Sequence, residues 1–348
     1  MIQLKSRHPF LLYSLLLAGF LLYFPGASRA AFDDMVWGAR PAGLGGAYTA
    51  LSDDSDGPAS NPAGTARSGR QELSLSYASL FAGVKLYAGQ DVSSLALGGI
   101  SFVDQRRSWG TLGAYWNAFQ AQGVYREDTA GLSWGSSYEF FGENVCVGGG
   151  LKMLRHAYVL DALSAQDPVF HSGSAKSAVG VDLGLQWEPA PNYFPGFRLA
   201  AEGRNVNSPD VGLSQSDRVP AEGRFGVVFE KSQLLAFTPV FEYIRRDGKN
   251  EVAGGLEKWF LKDTLAVRIG GNPNEADGGF SYVFNAAGGF SYRMDYSFAW
   301  PLYVDRTAGT HRLSLSVLFG GAEPKKNNRF SQIQTRKSDV LGFLNARR

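Results

Sequence analysis

Three carboxylates, Asp53, Asp54 and Asp56, stand just before Gly57 and invite a calcium-loop reading. Such a loop needs acids at its first and twelfth positions, and counting back from Gly57 puts Ser52 and Ala63 there. The pattern fails. Gly43, Gly45 and Gly46 lack the strand and helix that must flank a dinucleotide-binding turn, and the chain has no HExxH, CxxC, Walker loop or G-x-S-x-G. Past residue 30 the histidines are His156, His171 and His311, which leave only a Ser/His hydrolase at a strand end as a catalytic alternative. The residues therefore point to no enzyme, no metal and no cofactor.

The chemistry that recurs is charge pairing. Asp182, Glu188, Glu202, Glu222, Glu242, Glu257 and Asp295 are matched by Lys152, Arg198, Arg204, Arg224, Arg268, Arg293 and Arg312, with Gly and Ser between them. A solvated sheet face favours Lys, Thr and Glu. Arginines matched to carboxylates beside glycine suit a narrow interior in which charges must pair. These residues are expected to form a charge ladder lining a lumen.

The elements that carry them alternate with period two. In 178–188, Val179, Val181, Leu183, Leu185 and Trp187 share one face, and Gly180, Asp182, Gly184, Gln186 and Glu188 the other. Phe290, Tyr292, Met294, Tyr296 and Phe298 likewise oppose Ser291, Arg293, Asp295 and Ser297. Fourteen such segments are expected near 71–80, 93–103, 109–119, 125–140, 143–158, 175–189, 196–206, 220–231, 234–246, 249–260, 263–272, 277–286, 288–299 and 309–320. Residues 81–91 offer an alternative strand. Connections after even strands are mostly tight (Phe141-Gly142, Ser232-Gln233, Leu261-Lys262, Ala287-Gly288), whereas 159–174 and 207–219 follow odd ones. Outer-membrane barrels have that asymmetry, with short turns in the periplasm, so both termini are expected there.

Composition agrees. Glycine is abundant at 43 of 348 residues, aromatics reach 13%, and mean hydropathy is −0.15, as expected when lipid-facing and lumen-facing residues alternate. Cys146 is the lone cysteine, so no internal disulfide closes the fold. Residues 1–30 have the basic start, apolar run and small residues (Ser28, Ala30) of a cleavable export signal. Its loss removes Lys5, Arg7 and Arg29 and takes the formal charge from +2 to −1, which does not suggest nucleic acid. Residues 322–348 carry seven bases and two acids and are expected to form a disordered periplasmic tail, with 71–321 as the barrel.

Residues 31–70 fit neither a strand nor a solvated linker. Gly38, Arg40, Gly43, Gly45 and Gly46 lead to the Asp53–Asp54–Asp56 cluster and then to Asn61-Pro62-Ala63-Gly64. The acids are expected to meet lumen arginines. Pro62 holds Asn61 out of the helical region, the Asn side chain can bond its neighbouring backbone, and Gly64 permits a left-handed turn. The turn serves either as a structural start to the barrel or as a movable constriction.

G-A-R-x-x-G-L-G-G-A-Y-x-A-x-x-D-D followed by N-P-A-G resembles the N-terminal signature of FadL-type hydrophobic-compound transporters and of the related PorV/PorQ (UPF0164-type) outer-membrane proteins. Gly255-Leu256-Glu257, residues 265–270 (LAVRIG), Arg293-Met294-Asp295-Tyr296 and residues 311–320 (HRLSLSVLFG) are similar as well. The resemblance implies an all-β transmembrane antiparallel β-barrel of about 14 strands with a short N-terminal plug, or hatch, in the lumen. Gly38, Ala39, Arg40 and Asn61–Ala63 would belong to that hatch. It implies passage of hydrophobic small molecules such as long-chain fatty acids across the bacterial outer membrane. The chain is shorter than the fatty-acid transporters, and its size and ending are closer to the PorV/PorQ group, which implies the alternative of a non-transporting scaffold for a secretion or envelope complex. The partners expected are outer-membrane lipid and either a hydrophobic small molecule or envelope proteins.

Overall fold

In a computed structural model, residues 32, 35–84, 95–105, 109–230, 236–286 and 289–319 are described. The export signal, the basic tail and the turns at Ser232-Gln233 and Ala287-Gly288 lie outside those residues. So does most of 81–91, of which 81–83 is turn.

The alternating segments form fourteen antiparallel strands, β1 (Gln71–Ser79), β2 (Leu95–Asp104), β3 (Thr111–Ala121), β4 (Tyr125–Phe140), β5 (Glu143–Tyr158), β6 (Ala175–Glu188), β7 (Phe197–Arg204), β8 (Glu222–Phe229), β9 (Thr238–Arg246), β10 (Lys249–Phe260), β11 (Leu265–Gly271), β12 (Glu275–Asn285), β13 (Ser291–Pro301) and β14 (Thr310–Phe319). Each pairs with its neighbours in sequence, and β14 closes on β1 from Gln71↔Phe319 to Ser79↔His311. Closure leaves no edge, which is how a sheet satisfies its backbone within hydrocarbon. Strands of ten or eleven residues, such as β3, β13 and β14, suffice to cross it when tilted. The pairing is longest at β4–β5, from Tyr125↔Tyr158 to Phe140↔Glu143, and shortest at β6–β7, from Leu183↔Gly203 to Trp187↔Leu199.

Period two sorts the side chains. Leu75, Leu132, Leu151, Val179, Phe241, Ile269, Tyr282, Met294 and Leu315 point outward and are exposed, while the neighbours of opposite parity are buried or half-buried. Lipid is the medium in which such an outer face is stable. Among the described residues the interior holds small apolar clusters rather than one large core. In one of them Leu44, Ala47, Tyr48, Ala50 and Leu51 pack on Ala200, Val228, Val240 and Ala253 of β7 to β10.

Residues 35–70 run inside the ring. Two one-turn helices, α1 (Ala39–Ala42) and α2 (Gly57–Ser60), and a 3-10 helix (Pro62–Arg67) interrupt an otherwise irregular path. The sequence predicts no helix in this segment. The turns arise because Pro41, Pro58 and Pro62 each pre-set φ near a helix start, where a missing N–H costs nothing.

Candidate functional site

The irregular segment and the inward faces of the strands meet through buried charge. Arg40, on α1, is the centre. Its Nη1 donates to Asp53 at 2.6 Å, Asp54 at 2.9 Å and the Tyr48 hydroxyl at 2.8 Å, and its Nε and Nη2 reach the Glu257 carboxylate on β10 at 3.1 Å each. Glu257 also accepts from Arg268 Nε of β11 at 2.6 Å. From the other side Arg293 of β13 donates to Asp54 at 3.1 Å, Glu72 of β1 at 2.7 Å and Asp295 at 2.7 Å. Asp54 thus lies between an arginine of the inner segment and a wall arginine. Burial works against its ionised form, yet Arg293 and Arg40 hold its carboxyl below the usual range.

Asp53 and Asp56 differ from it. Arg40 is the ion-pair partner of Asp53, and the wall arginines expected to meet the cluster contact Asp54 alone. Asp56 makes no ion pair among the described residues. Its carboxylate lies over Gly38, so close that a Cβ there would stand 2.1 Å from Oδ2. Burial, with the charge of Asp54 beside it, pushes the Asp56 carboxyl well above the ordinary range.

Backbone groups of the inner segment take up the rest of the ladder. The N–H groups of Tyr48 and Thr49 both donate to Glu242 at 2.8 Å, Arg198 donates to Ala50 O at 2.8 Å, and Arg204 donates to Ser60 O at 2.8 Å. These two arginines also pair within the wall, Arg198 with Glu230 at 2.5 Å and Arg204 with Glu202 at 2.8 Å. Arg224 pairs with Glu222 and, at 2.8 Å, with Glu242, and Lys152 pairs with Asp182 at 2.8 Å. Arg312 is the exception. It is buried and makes no ion pair among the described residues, with Nε and Nη1 lacking hydrogen-bond partners.

Asn61-Pro62-Ala63-Gly64 behaves as expected at its start and not at its end. Asn61 is extended (φ −143°, ψ 111°), its Oδ1 accepts from Ala63 N at 3.1 Å, and its Nδ2 donates to Thr49 O at 2.9 Å. Gly64 does not take the left-handed conformation predicted for it, because it lies within the 3-10 helix. Glycine is required there by approach, since a Cβ would stand 2.2 Å from Ser52 Oγ and 2.3 Å from Ser52 O. The left-handed positions are Gly45 and Gly46, at φ 70° and 85°, and Gly45 lies directly on Gly271 of the wall. Gly43 packs over the Arg268 side chain.

Three anchors carry no motif. Glu72 takes Ser55 Oγ at 2.8 Å, and Gln186, fully buried, donates to Thr49 O at 3.0 Å. Their inward parity in β1 and β6 was the available signal. Phe32 is buried against Leu154, Val211 and Val219, its N–H donating to Glu127 and its carbonyl accepting from Arg246. Nothing in its sequence context marks it.

Above this network lies a cavity of about 650 Å³. It opens at the end of the barrel where odd strands finish. Leu80, Phe81, Leu95, Leu97 and Phe119 form one side with Arg312 next to them, Glu222, Arg224 and Arg246 the other, and Met35, Val36, Gly45 and Gly46 the floor. Two voids of about 40 and 60 Å³ lie below, both lined by Trp37.

No family model matches the chain and no curated protein sequence matches it. Solved structures do. A FadL homologue from Pseudomonas aeruginosa superposes with a TM-score of 0.54 at 13% identity, covering 83% of this chain and 99% of that one. The fold is that of the FadL-type barrels. TodX, a toluene transporter of Pseudomonas putida, gives a TM-score of 0.51 at 13% identity over 83% of this chain and 98% of its own. The deltaS2 mutant of TodX, a monoaromatic hydrocarbon channel, gives 0.52 at 14% over 82% and 97%. At such identities the FadL-type likeness is one of architecture, and the residues above carry the rest.

Proposed function

We propose that the protein is a non-enzymatic outer-membrane channel that admits hydrophobic small molecules from outside, with residues 31–70 as the hatch. The observation that carries this reading is the cavity of about 650 Å³, whose apolar side (Leu80, Phe81, Leu95, Leu97, Phe119) ends on the floor formed by the hatch. Small-molecule sites are apolar concavities with a few placed polar groups; here the apolar side supplies the first, and Glu222, Arg224, Arg246 and Lys249 make the rest of the lining charged. The FadL homologue and TodX support the same class, and long-chain fatty acids and single-ring aromatics are the substrates to try first. Both termini lie in the periplasm in this reading, so the cavity and the loops 159–174 and 205–221 face outside. Residues 1–30 are the export signal, and 322–348 the basic periplasmic tail.

A second reading is a non-transporting barrel that scaffolds a secretion or envelope complex, as the PorV/PorQ resemblance implies. The buried ion pairs that hold the hatch to β10 and β13 favour it, because a hatch so held closes the lumen. Uptake of labelled fatty acid and of toluene by cells with and without the protein separates the two. Faster uptake with the protein is expected. Equal uptake, with a partner whose co-purification depends on residues 322–348, would replace the channel with the scaffold.

A further inference from the structure

The outer wall carries a charged cluster whose position a purely apolar lipid contact does not explain. Asp128 on β4 points outward, and so do Arg126 beside it and Arg155 directly across on β5. Arg126 holds Asp128 through Nε at 2.8 Å and Nη2 at 2.7 Å and stands 5.8 Å over the Trp116 ring, whose Nε1 also donates to Asp128 at 3.1 Å. Arg155 Nη1 is 4.0 Å from the same carboxylate, and nearly half of the Arg155 side chain is exposed. Two guanidiniums therefore share one acid, leaving one positive charge on the lipid-facing surface.

Charge is tolerated on that surface only near the interface. An Arg there costs roughly 2–4 kcal/mol at the bilayer midplane and about 0–1 near the headgroups. The cluster lies three residues from the odd-side ends of β4 and β5, at the level of a Trp, and Trp marks interfaces.

Immediately toward the membrane centre, register places an apolar hollow. Ala130 pairs with Met153, Leu132 with Leu151, and Met153 with Val179. Ala114 and Ala130 are short among Phe102, Trp116, Leu132 and Met153, and the depression has a volume of about 560 Å³. A cationic site and a hollow for acyl chain are thus continuous on one wall.

We propose that this face binds a phosphorylated membrane lipid, its phosphate on Arg155 and the free edge of Arg126 and its acyl chain in the hollow over Ala114 and Ala130. Guanidinium is the side chain best matched to phosphate, and charge-assisted hydrogen bonds of this kind are strong. Asp128 presents the arginines and competes with the phosphate for them. The proposal rests on the outer-membrane reading above, and flotation with liposomes checks that reading separately, since every variant below must float as wild type does.

The test is native mass spectrometry of the purified full-length protein after exchange into phosphatidylcholine nanodiscs supplemented with lipid A, with inorganic phosphate in a separate arm. Retained lipid A is expected on the wild type. Arg155→Gln should weaken retention about tenfold, the size of one charge-assisted bond lost. Ala130→Phe, which fills the hollow and leaves both arginines, should weaken it as well. Asp128→Asn should strengthen it by removing the competing acid. Lys258→Gln, at an exposed lysine elsewhere on β10, should leave it unchanged. Equal retention by the wild type and Arg155→Gln, weaker retention by Asp128→Asn, or inorganic phosphate displacing lipid A from the Ala130→Phe variant and the wild type alike, would overturn the proposal.

Discussion

At the scale of single residues, what matters is which buried polar atoms have partners. Asn61 is fully buried and uses both ends of its amide, one on Thr49 O and one on Ala63 N. Truncation to alanine strands the Ala63 N–H and should cost about 1–3 kcal/mol. We expect Asn61→Ala to keep the strands and to make the chain within 35–70 cleavable by added protease, with N- and C-terminal fragment mapping as the readout. Asp56 has a pH signature of its own. An acid whose folded-state carboxyl is raised binds its proton more tightly folded than unfolded. Its stabilising share is therefore full below the ordinary Asp range and is lost as pH rises through the raised value. Asp56→Asn keeps the shape and cannot ionise. Its thermal midpoint should fall less between acid and alkaline buffer than that of the wild type, and a parallel fall in both would refute the assignment of this slope to Asp56.

At the scale of elements, the inner segment is held as a unit by charges contributed from distant strands. Arg40 serves three carboxylates, two on its own segment and Glu257 on β10, all taken out of bulk water. Desolvation makes such a network weak evidence for net stability, yet removing one member leaves opposite charges unpaired at a cost of about 3–5 kcal/mol. Arg40→Met should therefore release α1 and the residues up to Asp54 without unfolding the barrel. Hydrogen exchange checks this, with faster exchange over 38–64 and unchanged protection in β4 and β5. If the protein is a channel, the same variant should conduct hydrophobic substrate faster. Arg312 offers the contrast, because it makes no ion pair with the inner segment among the described residues, and Arg312→Met should leave that segment protected.

At the scale of the whole molecule, closure of β14 on β1 makes the fold indifferent to the lack of disulfides, and Cys146, buried on β5, stays out of reach. That silence makes thiol labelling clean. Ala165 lies on the long loop after β5, and Glu139 near the two-residue turn after β4. With the termini in the periplasm, a membrane-impermeant maleimide added to intact cells should label Ala165→Cys and spare Glu139→Cys. The opposite pattern would invert the barrel and move the 650 Å³ cavity to the periplasmic side.

The sequence by itself determined the wall. Strict alternation puts every second residue on one face, so the strand count, the expected parity of the charge ladder and the long loops after β5 and β7 could be read from residue order. Three strands, β4, β5 and β10, match the alternating segments at both ends, and most other ends move by a few residues because alternation fades where strands enter turns. Tertiary structure alone decided the inside. Which acids answer Arg40, that Asp56 makes no ion pair among the described residues, that Gly64 is required by Ser52 rather than by a left-handed turn, and that Glu72, Gln186 and Phe32 anchor the segment all depend on tertiary contacts. Period two says which way a side chain points. It does not say what it meets, because partners across a lumen are set by the curvature of the closed sheet and by a segment that has no period.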